Sequence, residues 1–154
     1  MTANLSTMRI LFVCTGNIAR SQMAEGLARA LVIPGVEVAS AGTNPNPKGI
    51  HPMAIEVLRE RGLDISDHRS KHFLALSGPF DYVITLCDDA AQDCPYLPAR
   101  RERLHWGLPD PVVAGDDPER QRAFFCKIRD EIDKRLRNWL ASKRLLAEGS
   151  WTTS

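Results

Sequence analysis

The sequence has no surplus of charge of either sign: 20 Lys and Arg stand against 19 Asp and Glu in 154 residues, a formal net charge of +1. General binding to nucleic acid or to an anionic membrane draws on a basic excess, so the balance argues against both. No apolar run approaches the roughly 20 residues of a membrane span. The first seven residues, Met1 to Thr7, are polar, with no basic stretch followed by an apolar core. No secretory leader is therefore expected, and the protein is expected in the cytoplasm. There is no internal repeat, no low-complexity tract and no G-x4-G-K-[ST] phosphate loop. Cysteine is sparse: Cys14, Cys87, Cys94 and Cys126, with no C-x2-C pair, and His51, His68, His72 and His105 lie near no such pair. Structural zinc needs paired ligands, so no metal is expected. A disulfide framework belongs to short exported domains with poor cores, and this chain is neither. What remains for the thiols is chemistry or burial.

What the chain does have is a regular alternation of apolar runs and helical stripes. Its 44% hydrophobic and 25% charged residues are the usage of a soluble globular protein. One domain is expected over residues 8–147, with 1–7 and 148–154 as flexible tails. Met8 to Cys14 is almost continuously apolar, the pattern of a strand buried on both faces. After a turn, Met23, Leu27, Ala30 and Leu31 recur at helical spacing until Pro34-Gly35. Val36 to Ala41 reads as a second strand, and Met53, Val57 and Leu58 mark a helix ending at Gly62. Ser70 to Leu76 reads as a helical turn, Asp81 to Leu86 as a third strand and Arg101 to Trp106 as a fourth. Asp117-Pro118 opens a long helix with Phe125, Ile128, Ile132, Leu136, Trp139 and Leu140 in one stripe. Cys126 lies beside the stripe as a structural residue, and the Lys and Arg positions read mainly as a solvated face. Strands alternating with helices predict an α/β protein: a single-domain three-layer α/β/α fold around a central four-stranded parallel sheet. Ligands of such sheets bind beyond the carboxyl ends of the strands. Cys14, Cys87 and the loop after Trp106 should therefore meet at one edge.

Cys14-Thr15-Gly16-Asn17-Ile18-Ala19-Arg20-Ser21 forms a C-x5-R-S loop between the first strand and the first helix. A short loop closing onto a helix N-terminus can aim backbone N–H groups inward as an anion nest. Gly16 and Asn17 tolerate the left-handed dihedrals of such a turn. Arg20, in the first helical turn, can fold its fork over two oxygens of a tetrahedral oxyanion. The same dipoles are expected to lower the pKa of Cys14, with the Ser21 hydroxyl as a further donor. Asn17 is placed to pin the loop through its amide. A nucleophile attacking an oxyanion needs a proton donor for the leaving oxygen, and Asp110 in Asp110-Pro111 is the candidate. Asp117-Pro118 is explained by helix capping instead.

The segment V-C-T-G-N-I-A-R-S-Q-M-A-E-G resembles the nucleophile loop of low-molecular-weight protein tyrosine phosphatases, and more closely that of the arsenate reductases built on the same fold. Three further segments favour the reductases: T-L-C-D-D-A-A-Q-D-C-P-Y-L-P from Thr85, H-W-G-L-P-D-P from His105 and F-F-C-K-I-R-D-E-I from Phe124. The resemblance spans roughly Met8 to Leu140. It implies Cys14 as nucleophile, Arg20 as oxyanion clamp, Asp110 as general acid, and Cys87 with Cys94 as a redox pair. Gln22 stands where phosphatases usually carry Pro, and Val112-Val113 follow Asp110-Pro111 where they often carry aromatics that grip a phenyl ring. Some reductases hold potassium through a Thr and an Asp after the second helix. Arg69 and Lys71 occupy those positions here, which argues against such an ion.

The resemblance implies reduction of arsenate to arsenite through a Cys14 adduct and a Cys14/Cys87/Cys94 disulfide relay. No bound cofactor is implied; an external thiol reductant is, with thioredoxin favoured because the product is an intramolecular disulfide. A glutaredoxin and glutathione route is the alternative, and a monomer is expected. Cys87 and Cys94 are seven positions apart. A regular helix would separate them by about 10 Å, whereas a disulfide needs Cα atoms within roughly 7 Å. Oxidation is therefore expected to remodel residues 87–98, where Asp88, Asp89 and Asp93 should hinder thiol ionisation. The competing readings are a phosphatase acting on phosphotyrosine or small phosphate monoesters through a cysteinyl-phosphate, and a non-catalytic oxyanion or redox sensor. A phosphatase has no use for the Cys87 and Cys94 pair.

Overall fold

The computed structural model describes residues 8–87, 97–147 and 149. Strands β1 (Met8–Cys14), β2 (Val36–Gly42), β3 (Phe80–Thr85) and β4 (Ala99–His105) form one parallel sheet in the order β2-β1-β3-β4. Helices α1 (Arg20–Leu31), α2 (Pro52–Arg59) and α3 (Pro118–Ser142) complete the expected three-layer α/β/α arrangement. The central strands explain the apolar runs: Ile10 to Val13 on β1 and Val83 and Ile84 on β3 are wholly buried. Helix α2 starts at Pro52 with the His51 ring accepting from the Met53 N–H at 3.1 Å. Helix α3 starts at Pro118, with the Asp117 carboxylate accepting from Arg120 N–H at 3.3 Å. Both starts combine a side-chain acceptor with a proline whose missing N–H is not needed.

Several boundaries differ from the sequence reading. β3 starts one residue earlier, at Phe80, and Leu86 leaves the sheet. Its N–H goes to the Val13 carbonyl at 2.8 Å and its own carbonyl accepts from Leu108 N–H at 3.0 Å, which starts the loop layer above the sheet. β4 begins two residues earlier, at Ala99, because a register shift between Phe80 and Tyr82 lets Ala99 pair with Phe80. Its Arg100 to Arg103 are exposed, as suits an edge strand that must not recruit another. Of Ser70 to Leu76, only Phe73–Ala75 turns, as a 3-10 helix capped by His72 accepting from Leu74 N–H at 3.0 Å.

The Phe125, Ile128, Ile132, Leu136 and Leu140 stripe of α3 is buried as expected. Its basic residues are not all solvated. Arg129 is buried and donates to the Val57 carbonyl at 2.9 Å and to Glu60 at 3.2 Å, supplying partners that the end of α2 lacks. Cys126, half-buried, makes a long contact of 3.9 Å to Glu60. Trp139 packs edge-on against Tyr82 (4.9 Å between centroids) and Trp106 (6.0 Å), and Trp106 packs on Phe12 at 6.4 Å, which accounts for both tryptophans as packing.

Candidate active site

The loop from Cys14 to Ser21 leaves β1 and closes onto α1. Its carbonyls face away from the centre and are taken up by the next connection. Thr43, Asn44, Asn46 and His51 donate N–H groups to the carbonyls of Cys14, Thr15, Gly16 and Ile18 at 3.2, 2.9, 3.1 and 2.9 Å. Ser70 adds its hydroxyl to the Gly16 carbonyl at 2.8 Å. With these carbonyls turned out, the Asn17 and Ser21 N–H groups are turned to the Cys14 sulfur. Asn17 sits at the bend with φ 53°, a left-handed conformation its side chain stabilises. Cys14, Thr15, Gly16, Ile18, Ala19, Arg20 and Asp110 line a cavity of about 180 Å3. Asn17 and Ser21 lie behind it, both fully buried.

The Cys14 sulfur lies 2.9 Å from the Ser21 hydroxyl. Burial pushes this thiol up from its ordinary value, against the lowering expected from the loop. The Ser21 hydroxyl and N–H, the Arg20 charge and the Asn17 N–H all pull it down without outweighing desolvation. The sequence shows the donors; it does not show that the thiol is only 2% exposed.

Arg20 donates to the Leu108 carbonyl at 3.0 Å, and its other terminal nitrogen lies 3.8 Å from Asp110. Arg20 and Asp110 thus face each other across the mouth of the cavity, Asp110 arriving on the loop that precedes the 3-10 turn Pro111–Ala114. A second cleft of about 640 Å3 adjoins the first and shares Thr15, Arg20 and Asp110 with it. Cys87 opens into this cleft, its sulfur 3.2 Å from the Thr15 hydroxyl. Two strands that are neighbours in the sheet, β1 and β3, therefore bring Cys14 and Cys87 to one edge. Gly107, Leu108 and Pro109 complete the lining. Cys94, with Asp88, Asp89 and Asp93, lies outside the described residues.

Sequence reasoning missed the polar layer behind the loop. Asn17 Nδ2 donates to Ser21 Oγ at 2.8 Å and to Ser40 Oγ at 3.0 Å, and Ser40 Oγ donates to Glu25 at 2.6 Å. Glu25, only 3% exposed, is held by Arg29 at 2.6 Å, with His68 and Lys71 each at 4.0 Å. The Lys71 Nζ lies beside this carboxylate and donates to the Arg69 carbonyl at 3.2 Å, so the residues here do not fit an alkali ion. The one sequence signal for this layer is Ser40 near the carboxyl end of a strand that neighbours β1.

The likeness to known proteins follows the same residues. Residues 9–150 match the family described as low molecular weight phosphotyrosine protein phosphatase. An arsenate reductase of Shouchella clausii is 41% identical over 136 residues, covering 88% of this chain and 96% of the relative. A structure described as an arsenate reductase in the phosphate binding state superposes with a TM-score of 0.71 at 29% identity, over 88% of this chain and 98% of the other. The thioredoxin-dependent arsenate reductase Cg_ArsC1' of Corynebacterium glutamicum gives 0.69 at 34% identity, over 92% of this chain and 64% of the other. Fold, nucleophile loop and relatives agree: the chain belongs to the low molecular weight phosphotyrosine protein phosphatase family, in the branch that holds these arsenate reductases.

Proposed function

We propose that the chain reduces arsenate to arsenite, with Cys14 as nucleophile, Arg20 as oxyanion clamp, Asp110 as general acid and Cys87 with Cys94 as the redox pair. The observation that carries this reading is the position of Cys87, whose sulfur opens into a cleft continuous with the Cys14 cavity. Inward N–H groups of residues 15–21 and the Arg20 fork bind the tetrahedral anion. The arsenate dianion takes the proton that burial keeps on Cys14, so the total charge in the cavity is unchanged and the sulfur becomes the nucleophile. Attack on arsenic forms an S–As bond and breaks an As–O bond, with Asp110 giving the leaving hydroxide a proton to depart as water.

Cys87 thiolate then attacks the sulfur of Cys14. An S–S bond forms, the S–As bond breaks, and its electron pair leaves on arsenic, which becomes arsenite. Cys94 thiolate attacks the sulfur of Cys87, freeing Cys14 as thiolate and leaving a Cys87–Cys94 disulfide. A dithiol reductant returns the two electrons. Thioredoxin suits an intramolecular disulfide, and the thioredoxin dependence of the Corynebacterium relative supports it. Glutaredoxin with glutathione is the competing donor. A relay that must start from free thiols belongs in a reducing compartment, which supports the cytoplasm. No described helix is long and apolar enough to cross a membrane. We read the active unit as a monomer formed by one domain, residues 8–147.

The test is arsenate-dependent NADPH consumption with thioredoxin and thioredoxin reductase. Wild type turns over repeatedly; Cys14→Ser, Cys87→Ser and Cys94→Ser do not. Normal cycling by Cys87→Ser would sink the relay. Phosphate-ester hydrolysis by the shared loop would not distinguish reductase from phosphatase, because both start from the same thiol.

A further inference from the structure

Gln22 is fully buried, and the orientation of its side-chain amide is fixed from both ends. Its nitrogen lies 2.9 Å from the Arg69 carbonyl, 3.2 Å from the Asn17 carbonyl and 3.0 Å from Asn17 Oδ1. An oxygen in that place would face three oxygens. The amide oxygen therefore points the other way, to His68 Nδ1 at 3.0 Å. Because an amide oxygen only accepts, His68 must carry a hydrogen on Nδ1.

The direction of every later bond follows. Asn17 Oδ1 accepts from Gln22 and from the Lys71 N–H at 2.9 Å, which turns Asn17 Nδ2 toward Ser21 and Ser40. Ser21 Oγ, receiving Asn17 at 2.8 Å, has its own hydrogen left for the Cys14 sulfur at 2.9 Å. Ser40 disposes of its hydrogen on Glu25, so it does not compete. From His68 through Gln22, Asn17 and Ser21, each donor points toward sulfur. Hydrogen bonds aligned in one sense polarise one another and favour negative charge at the accepting end.

We propose that Gln22 is a positioning residue for Cys14: its amide imposes a single donor direction on the buried chain that ends at the nucleophile. It also ties the loop to residues 68–71, which brace Gly16 and Asn17 from outside. The proposal rests on Cys14 as the nucleophile of the reading above, whichever oxyanion it attacks. The charged groups facing the two ends are Arg20 at Cys14, and Glu25, Arg29, Asp67 and Lys71 at His68.

The experiment follows Cys14 alkylation by iodoacetamide against pH in the reduced full-length protein, with the Cys14 peptide quantified by mass spectrometry and inorganic phosphate as the protecting probe. Gln22→Met removes the donor and keeps the volume; Gln22→Glu keeps the shape and offers acceptors only. Gln22→Met is expected to move the profile to higher pH and to slow alkylation at pH 7 about tenfold, the factor by which the thiolate fraction falls when a thiol pKa rises by about one. Gln22→Glu is expected to move it further. In wild type, the nitrogen-15 spectrum of the imidazoles should show His68 with hydrogen on Nδ1 at neutral pH. A folded Gln22→Met with an unchanged profile and unchanged phosphate protection would overturn the proposal. So would a bare Nδ1 in wild type, a result independent of whether the variants fold. If arsenate reduction itself failed, NADPH consumption would be lost while these thiol titrations still answered the question about Gln22.

Discussion

Gly42 has no room for a side chain beside Thr15: a Cβ there would stand 2.5 Å from the Thr15 carbonyl oxygen. The obstacle is the backbone of the nucleophile loop, which is fixed in turn by Asn44 N–H at 2.9 Å. Gly42→Ala is expected to displace the loop, weakening phosphate or arsenate binding more than about tenfold and destabilising by about 1–3 kcal/mol. Gly26→Ala is the control. Its Cβ would meet the side chains of Ile65 at 2.7 Å and Leu58 at 2.8 Å, away from the loop. A similar loss of stability is expected there, with oxyanion affinity kept. Thermal unfolding and the inhibition constant of phosphate measure both.

Arg20 serves two partners, the Leu108 carbonyl at 3.0 Å and Asp110 at 3.8 Å. Lysine can keep one charge but not a planar fork. Arg20→Lys is expected to lose one charge-assisted hydrogen bond to the anion, about 1.5–3 kcal/mol, read as a raised KM for arsenate together with a lower kcat. A kcat/KM within a factor of two of wild type would remove Arg20 from the role of clamp.

Asp110 is assigned to the leaving oxygen. Asp110→Asn keeps the shape and cannot give up a proton, so the chemical step should slow by about 10²–10⁴-fold. Binding of phosphate, which needs no proton from Asp110, should change little. Single-turnover kinetics separate the two, and a normal burst would move the acid elsewhere.

Stability should depend on pH at both ends of the range. Burial lowers the pKa of His51, against the pull of Asp110, and that of His68, against the pull of Glu25. Below about pH 6.5 the unfolded chain takes up protons that the folded rings refuse, so stability falls with decreasing pH until the folded values are passed. His51→Asn leaves an acceptor for the Met53 N–H and removes the titration, so it should flatten the slope. At the other end, burial raises Cys14. The unfolded thiol then ionises first, and stability declines as pH climbs past about 8.5. Urea denaturation from pH 5 to pH 10 tests both, and a flat profile across either window contradicts the corresponding assignment.

The parts legible from sequence are those decided by near neighbours. Met8 to Cys14 read as a buried central strand because almost every position is apolar, and the turn at Asn17 follows from a residue type that accepts positive φ. The meeting of Cys14 with Cys87 followed from parallel topology, which sends both strand ends to one edge. Three features were hidden for physical reasons. The start of β4 at Ala99 and Arg100, ahead of the strand read from Arg101, was hidden because an edge strand exposes what a central one buries. Arg129 looks solvated until the end of α2 is placed against it. The bonds from Gln22 to Arg69 and His68 join positions 47 and 46 apart, a distance only the folded chain closes. The proton affinity of Cys14 depends on how deeply the loop sinks, which no local pattern encodes.

The nest proposed to receive the anion is made of backbone N–H groups and one guanidinium, and nothing in such a lining tells arsenic from phosphorus. Phosphate has the same shape and charge, so it should enter freely and act as a competitive occupant. Discrimination then falls to what happens after the sulfur bond has formed. In the proposed relay an S–As bond breaks under attack by a second sulfur, its electron pair leaving on arsenic, whereas an S–P bond waits for water. On the proposed relay, Cys87 just beyond the end of the strand beside Cys14 makes selectivity a race between two nucleophiles, thiolate and water, run after the door has already let both anions in.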